Sequence, residues 1–297
     1  SWINIPNSTP SENYPILTKN RLYRVVVQNG PTCKKDTSQT VAFNINAPSV
    51  AGSIAGATSV CAVSNSGTLT LSGNTGNVTS WQSSINNGAT WQPIANTTTT
   101  QSYTNLTQTT RYRAIVKSGI CNPDTTAAVV MDVSPVTVPG TLTGGGNFCG
   151  NNATGTLTLT GNTGTIQNWL SSTDSGATWI SIPNITATQN YTNLPVTTWY
   201  GVMVKSGGCP ADTSSIGQVN VAPQTVSGTL NASKSVCYGV GHDTIRLKGR
   251  VGKVLTWLQS TNNGGTWIPI VNQSDSLIYN GLTQTTWYTA VVQSGYC

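Results

Sequence analysis

The sequence predicts an all-β protein built from tandem β-sandwiches, and two observations carry this prediction. Only 7% of the 297 residues are charged, against about 25% in ordinary soluble domains, and Thr, Ser, Asn and Gly supply the polarity. Such a composition favours strands and tight turns over helices. The seven cysteines are separated by alternating intervals of 28 and 60 residues, which gives a period of 88. A fixed period indicates tandem copies of one fold. These cysteines are Cys33, Cys61, Cys121, Cys149, Cys209, Cys237 and Cys297.

The first half of one copy, residues 48–135, predicts four short strands bounded by turn residues. The segment AGSIAG is expected to form strand A, and GTLTLSG strand B, with Leu69 and Leu71 alternating inward. NVTSWQSS is expected to form strand C and TWQPIA the next strand. Asn86, Asn87 and Gly88 lie between them and predict a hairpin turn.

The second half of the copy predicts strands E, F and G. Their segments are SYTNL, RYRAIVKSG and TAAVVMDV. Seven short antiparallel strands in about 90 residues, with a Trp on the third, are typical of an immunoglobulin-like sandwich. Another β-sandwich of similar size is the alternative.

The period also predicts where the copies begin and end. We expect the C-terminal half of a repeat at 1–47, complete repeats at 48–135 and 136–222, and a repeat lacking its last strand at 223–297. SWINIPN at the start matches TWISIPN in the middle of a later repeat. The sequence is therefore expected to be a segment of a longer repetitive protein.

Two sets of aromatic residues keep the period and predict the sandwich cores. A tryptophan recurs on strand C and a tyrosine on strand F. These predicted core residues are Trp81, Trp169, Trp257, Tyr112, Tyr200 and Tyr288.

The hairpin of the third repeat resembles the Asp-box, S-x-D-x-G-x-T-W, best known from sialidase propellers. Ser172, Asp174, Gly176 and the Thr178-Trp179 pair fit this motif. The role that the resemblance implies is structural, because an amide replaces the carboxylate in the other two copies, and an amide cannot do the work of a catalytic carboxylate. Asn and Asp both shape Asx-type turns. The predicted turn residues are Asn86, Gly88, Asp174, Gly176, Asn262 and Gly264.

Three longer segments resemble one known family. GTLTLSGNTGNVTSWQSSINNGATW, LTQTTRYRAIVKSGIC and VPGTLTGGG are similar to the Ig-like repeats of large Bacteroidetes surface proteins. The resemblance implies a protein exported by the type IX secretion system, a class that includes gliding-type adhesins.

The cysteines predict disulfides, and two pairings are open. The intra-domain pairing is Cys61–Cys121, Cys149–Cys209 and Cys237–Cys297. Against it, Cys61 lies about eight residues before the middle of strand B, and Cys121 seven residues after the middle of strand F. Strands B and F run in the same direction, so the two sulfurs would lie at opposite ends of the sandwich.

The inter-domain pairing, Cys61–Cys209 and Cys149–Cys297, is therefore favoured. In a head-to-tail array, the A–B turn of one domain faces the F–G turn of the next. Cys33, Cys121 and Cys237 would then have partners outside this segment or stay unpaired. A departure of strand A from its standard path would restore the intra-domain pairing.

Catalytic and metal chemistry find few candidate residues. Eight acidic residues and one histidine leave little for acid–base work, so we predict that the protein is not an enzyme. No C-x-x-C pair occurs and His242 is the only histidine, so we predict no metal site and no cofactor. Asp36, Asp124 and Asp212 recur three residues after a cysteine, and each is interpreted as a turn cap.

The predicted partners follow from charge and from the repeats. The net charge of +6 comes from scattered Lys and Arg, which does not favour nucleic acid, and no apolar stretch is long enough for a membrane span. We expect neighbouring repeats of the same longer chain, identical chains in a filament, or surface polysaccharide as partners. The expected location is extracellular, on a bacterial cell surface.

Two functions are weighed on these grounds. The favoured function is a structural stalk or filament segment of a bacterial surface adhesin, which projects an adhesive or anchoring region from the cell. The alternative is a repeated carbohydrate- or cell-binding module that acts by multivalency. Trp199 and Trp287 are predicted on the outer face of strand F, where they could stack on sugar rings. The equivalent positions carry Leu22 and Arg111, and this lack of recurrence favours the stalk.

Overall fold

A computed structural model describes residues 1–231 and 233–297. It contains two compact units, Ser1–Val133 and Ser134–Cys297. Within the described residues the chain forms 28 strands and one short 3-10 turn at Gly150–Asn152, with no α-helix. The predicted all-β fold class is confirmed.

Repeat 1, residues 1–47, contributes four short strands to the first unit. They form two antiparallel pairs, β1 with β4 and β2 with β3. Because no second sheet covers them, most of their residues are exposed. The strands are β1 Arg21–Tyr23, β2 Val26–Val27, β3 Asp36–Thr37 and β4 Val41–Phe43.

Repeat 2, residues 48–135, completes the first unit as a two-sheet sandwich. One sheet has the order β10-β7-β5, which corresponds to strands E, B and A. The other has the order β6-β13-β11-β8-β9, which corresponds to A′, G, F, C and C′, and β12 pairs with β11. The strands are β5 Ser53–Ala55, β6 Ser59–Cys61, β7 Ser66–Ser72, β8 Asn77–Ser84, β9 Gln92–Ile94, β10 Thr100–Thr104, β11 Thr110–Lys117, β12 Asp124–Thr125 and β13 Val129–Ser134.

Repeat 3, residues 136–222, has the same two sheets in the second unit. Their orders are β14-β16-β19 and β15-β22-β20-β17-β18, with β21 paired to β20. This is the strand arrangement of an immunoglobulin-like sandwich. The strands are β14 Thr141–Thr143, β15 Asn147–Cys149, β16 Ala153–Thr160, β17 Thr165–Ser172, β18 Ile180–Ile182, β19 Thr188–Leu194, β20 Thr198–Lys205, β21 Asp212–Thr213 and β22 Gly217–Ala222.

Repeat 4, residues 223–297, has sheets of three strands each, β23-β24-β27 and β26-β25-β28. Its described residues contain no strand equivalent to A′ or G, so strand F lies at a sheet edge. The strands are β23 Thr229–Leu230, β24 His242–Lys248, β25 Lys253–Ser260, β26 Ile268–Ile270, β27 Ser276–Asn280 and β28 Trp287–Gln293.

The first strand of each complete repeat divides between the two sheets, which the sequence did not predict. In repeat 3, β14 pairs antiparallel with β16, whereas β15 pairs parallel with β22. Gly144 lies between the two halves with φ +97°, a conformation that suits glycine. Strand A′ therefore runs alongside strand G and ends where strand G ends.

A tryptophan of strand C fills the centre of each sandwich. Trp81, Trp169 and Trp257 are fully buried. Each indole Nε1 donates a hydrogen bond to a carbonyl oxygen 17 residues further on, with lengths of 2.9–3.0 Å. The acceptors belong to Thr98, Thr186 and Ser274.

Tyrosines of strand F complete the cores to different degrees. Tyr112 and Tyr200 are buried, and burial raises the pKa of both phenols. Tyr288 is half-buried and packs against the smaller core of repeat 4. It differs from the other two because no strand G covers it in the described residues of this repeat.

Candidate functional site

A disulfide crosses the junction between repeats 3 and 4. It joins Cys149, the last residue of β15, to Cys297, which follows strand F of repeat 4. The S–S distance is 2.02 Å and the Cα atoms are 5.1 Å apart. The two residues are 148 positions apart in the sequence, which is more than one period. The bond therefore links different repeats within the second unit.

The strand pairing of repeat 3 brings these two cysteines together. Cys149 lies opposite Ala222 in the parallel register of β15 and β22, so it reaches the end of strand G, where repeat 4 begins. Cys297 Sγ lies 3.8 Å from the carbonyl oxygen of Ala222 and 3.3 Å from that of Pro223. Gly295 permits this approach, because a Cβ there would lie 2.7 Å from Ala222 Cβ and its φ is +51°.

A hydroxyl group holds the same junction beside the disulfide. The backbone N–H of Ser294 donates to Thr225 Oγ1 at 3.0 Å. The contact recurs one repeat earlier, where the N–H of Ser206 donates to Thr137 Oγ1 at 3.1 Å. In the first unit, the N–H of Ser118 donates to Ser49 Oγ at 2.9 Å.

This hydroxyl clamp was missed in the sequence, although a signal for it exists. Each hydroxyl residue directly precedes a valine that forms an isolated β-bridge, and it follows a proline by one or two positions. The valines are Val50, Val138 and Val226.

The intra-domain pairing Cys61–Cys121, Cys149–Cys209 and Cys237–Cys297 is wrong. Cys149 is bonded to Cys297, and the thiols of Cys33, Cys121 and Cys237 are free within the structure. Strand A does leave its standard path, but it enters parallel to strand G and so carries its cysteine away from the F–G turn of its own repeat. Cys61 and Cys209 are also disulfide-bonded. The pairing Cys61–Cys209 stays a prediction.

The surroundings of the F–G cysteine recur in every junction described. Cys209 Sγ lies 3.2 Å from the carbonyl oxygen of Pro135, and Cys121 Sγ lies 3.4 Å from that of Ala47. Cys297 Sγ has the same relation to Pro223, at 3.3 Å. Disulfides persist mainly in oxidising compartments, so these bonds suit a protein outside the cytosol.

The C–C′ hairpin of repeat 3 is fixed by its own side chains. Asp174 Oδ1 accepts hydrogen bonds from the Ser172 hydroxyl at 2.7 Å and from the Thr178 N–H at 2.9 Å. The Thr178 hydroxyl donates to Asp174 Oδ2 at 2.5 Å. These bonds, those from Thr178 foremost, lower the pKa of Asp174 to about 2. Gly176 follows in the turn with φ +87°.

The other two hairpins use asparagine in the same way. Thr90 N–H donates to Asn86 Oδ1 at 2.9 Å, and Thr266 N–H donates to Asn262 Oδ1 at 2.8 Å. Gly88 and Gly264 lie in the turns with positive φ. All three hairpins therefore have a structural arrangement in which either side chain serves.

The outer face of the C–C′–F sheet differs between repeats. The Arg113 guanidinium lies 4.0 Å from the Trp91 ring centroid, and Arg24 lies 4.2 Å from that of Trp2. Gly201 occupies the equivalent of Arg113 in repeat 3, and Trp179 remains 36% exposed.

The two tryptophans that were predicted on the outer face of strand F lie on β20 and β28. Trp287 is 49% exposed, and Trp199 is half-buried. In repeat 3, Trp199 lies opposite Ser172 in the pairing of β20 with β17.

The recurring aspartates bind backbone groups. Asp36, Asp124 and Asp212 each accept a hydrogen bond at 2.8–2.9 Å from the N–H of the next residue. Among the described residues, no group of three or more His, Cys, Asp or Glu could hold a metal ion. In the same residues, no helix has the length and apolar character needed to cross a membrane.

One family model matches most of the chain in three tandem copies. Its description is "Domain of unknown function (DUF8696)", and it matches residues 50–135, 138–223 and 226–297. None of the curated proteins matches this chain.

Two solved structures are similar in part. The chicken CNTN1 FN1–FN3 domains have 16% identity and a TM-score of 0.29, with 84% of this chain and 93% of that chain covered. Murine CEACAM1b has 10% identity and a TM-score of 0.36, with 55% of this chain and 95% of that chain covered.

Proposed function

This chain belongs to the DUF8696 family, and on that premise we propose that its tandem repeats form a stalk segment of an extracellular adhesin. The stalk projects an adhesive or anchoring region from a bacterial cell surface. The family resemblance seen in the sequence supports a Bacteroidetes surface protein exported by type IX secretion. The role is mechanical and needs no catalytic residue.

The disulfide between Cys149 and Cys297 is the observation that carries the proposal. A tensile force applied at residue 297 passes directly to residue 149 through this bond, so the 148 intervening positions bear little of it. The bond also limits the unfolded chain, which stabilises the folded state by about 2–4 kcal/mol. Both effects suit a part that transmits tension between a cell and an attachment point.

The low charge of the surface supports the same role. Only 7% of the residues are charged, and the described part of the chain contains two ion pairs, Lys234–Asp243 and Arg250–Asp275. Exposed ion pairs contribute little and weaken with salt. Folding that depends on apolar cores and disulfides therefore persists when the ionic strength outside the cell changes.

Force spectroscopy on single molecules tests the stalk directly. The chain is pulled from its two ends, first under oxidising conditions and then with a reductant. Reduction should release about 500 Å of additional contour length, since 148 residue steps extend by about 3.4 Å each. Cys33→Ser is the matched control, because Cys33 is exposed and free. Equal contour lengths with and without reductant would contradict the proposal.

A second candidate function, carbohydrate binding, is favoured by one observation. The face of Trp179 is uncovered because Gly201 stands where an arginine covers Trp91 in repeat 2. Flat, exposed indole rings suit stacking on sugars. We expect Gly201→Arg to remove any change in tryptophan fluorescence caused by hexasaccharides of glucose, xylose or N-acetylglucosamine. Arg113→Gly, which uncovers Trp91, should increase the change. Identical responses in both variants would exclude this function for Trp179.

A further inference from the structure

The outer edge of repeat 4 lacks the strand that covers the core of the other repeats. In repeats 2 and 3, strand G lies between A′ and F and buries Met131 and Val219 completely. In repeat 4, the edge of β28 has no neighbour of this kind among the described residues. A sheet edge of this kind is a template for another strand.

The core beneath this edge is correspondingly open. Tyr288, Ala290 and Val292 point inward from β28 but are only partly buried. Their equivalents in repeats 2 and 3 are buried. A cavity of about 350 Å³ lies here, lined in part by Leu230, Ile245 and Tyr288. The missing occupant is therefore an extended strand with apolar side chains at alternate positions.

Repeat 1 carries a strand of this pattern. Val41 and Phe43 lie opposite Tyr23 and Arg21 in the pairing of β4 with β1. Val129 and Met131 occupy the equivalent register against strand F of repeat 2. Yet β4 pairs with β1 alone in the described residues, and Val41 is 58% exposed.

We propose that the open edge of β28 binds the strand Val41–Phe43 of a second copy of this chain. The incoming strand would replace strand G, with Val41 opposite Tyr288 and Phe43 opposite Thr286. Main-chain hydrogen bonds to the free edge supply affinity, and the inward side chains supply register. Repetition of this contact joins copies end to end.

The free cysteines provide an independent geometric argument. Cys237 in the acceptor is one period after Cys149, and Cys121 in the donor is two periods before Cys297. Cys121 Sγ already lies 3.4 Å from the carbonyl oxygen of Ala47, four residues after the donated strand. Strand donation therefore brings Cys121 of one copy to Cys237 of the other, in the arrangement of Cys149 and Cys297.

The covalent step is a thiol–disulfide exchange. Oxidised glutathione accepts the two electrons as the two thiols lose their protons and form one S–S bond, and two molecules of reduced glutathione leave. The strand contact precedes this step and needs no oxidant. The proposal is independent of the stalk function, since it concerns association of copies and not their response to force.

The test uses the 297-residue chain in a glutathione redox buffer. Isotope-labelled and unlabelled copies are mixed, and disulfide-linked peptides are mapped without reduction. The expected result is a mixed-isotope link between Cys121 and Cys237, which grows with protein concentration. Cys33→Ser should leave this link unchanged, because Cys33 lies outside the contact. Free thiols at Cys121 and Cys237 at all concentrations would overturn the proposal.

A peptide experiment separates strand binding from disulfide formation. The probe is a synthetic peptide of residues 39–48, and its partner is the full chain with Cys121→Ser and Cys237→Ser. We expect saturable binding, weakened by about tenfold or more when the peptide carries Phe43→Asp, because a carboxylate would then be buried. Equal binding of the two peptides, or binding of neither, would overturn the strand assignment.

Discussion

Thr178 donates two hydrogen bonds to Asp174, one from its backbone N–H at 2.9 Å and one from its hydroxyl at 2.5 Å. Both bonds favour the ionised carboxylate, which is why the pKa of Asp174 falls to about 2. The hairpins of repeats 2 and 4 make the corresponding bonds to a neutral asparagine. Only the hairpin of repeat 3 therefore couples its geometry to a carboxylate.

The contribution of Asp174 to stability should depend on pH. Its folded pKa of about 2 lies below the ordinary value of 3.8, so the contribution is present above about pH 4 and is lost as the pH falls towards 2. Asp174→Asn should remove this dependence and leave the hairpin formed. Thermal unfolding between pH 2 and pH 7 measures the difference. Asn86→Asp should introduce the same dependence in repeat 2, and parallel curves for all three proteins would refute the prediction.

The disulfide should account for a measurable part of the stability of the second unit. We expect the double variant Cys149→Ser, Cys297→Ser to lose about 2–4 kcal/mol in free energy of unfolding, since its unfolded chain is no longer constrained. Denaturant unfolding followed by tryptophan fluorescence gives the value. Cys33→Ser should unfold like the parent protein, and an unchanged midpoint in the double variant would show that the bond contributes nothing.

Trp169 should be less tolerant of substitution than an exposed tryptophan. Trp169→Phe leaves a cavity and removes the hydrogen bond to the Thr186 carbonyl oxygen, which together should cost about 2–4 kcal/mol. Trp287→Phe, at a half-exposed position, should change stability by less than about 0.5 kcal/mol. Chemical denaturation of the two variants decides between these expectations, and similar losses would contradict them.

The hydroxyl clamp should protect the end of strand F. Thr225→Val leaves the Ser294 N–H without its acceptor, which should cost about 1–3 kcal/mol and speed amide exchange at Ser294. Thr225→Ser keeps the hydroxyl and serves as the control. Hydrogen exchange followed by mass spectrometry reports the amide directly. Equal protection in the two variants would mean that the contact does not hold the junction.

Sequence periodicity was sufficient for the fold class and for the inward strand residues. Leu69 and Leu71 alternate inward as predicted, because a half-buried strand needs apolar residues at every second position. The crossing of strand A between sheets was not predictable in this way. It depends on a positive φ at Gly144 and on pairing with strand G, which lies some 70 residues further along the chain.

Tyr288 shows a second limit of periodicity. It has the same place in the repeat as Tyr112 and Tyr200, yet it is only half-buried. Position within a repeat predicts where a side chain points, whereas its burial depends on the strand that covers it. In the described residues of repeat 4 no such strand lies beside β28.

The spacing of the bonded cysteines has a consequence for survival among proteases. Cys149 and Cys297 enclose all the intervening peptide bonds in one covalent ring, which includes the whole of repeat 4. A single proteolytic cut anywhere within that ring opens a backbone bond but leaves both fragments attached through sulfur. Exposed loops are the usual sites of such cuts. A nick in this region therefore does not release the distal end, and two independent cuts are needed before any piece is shed.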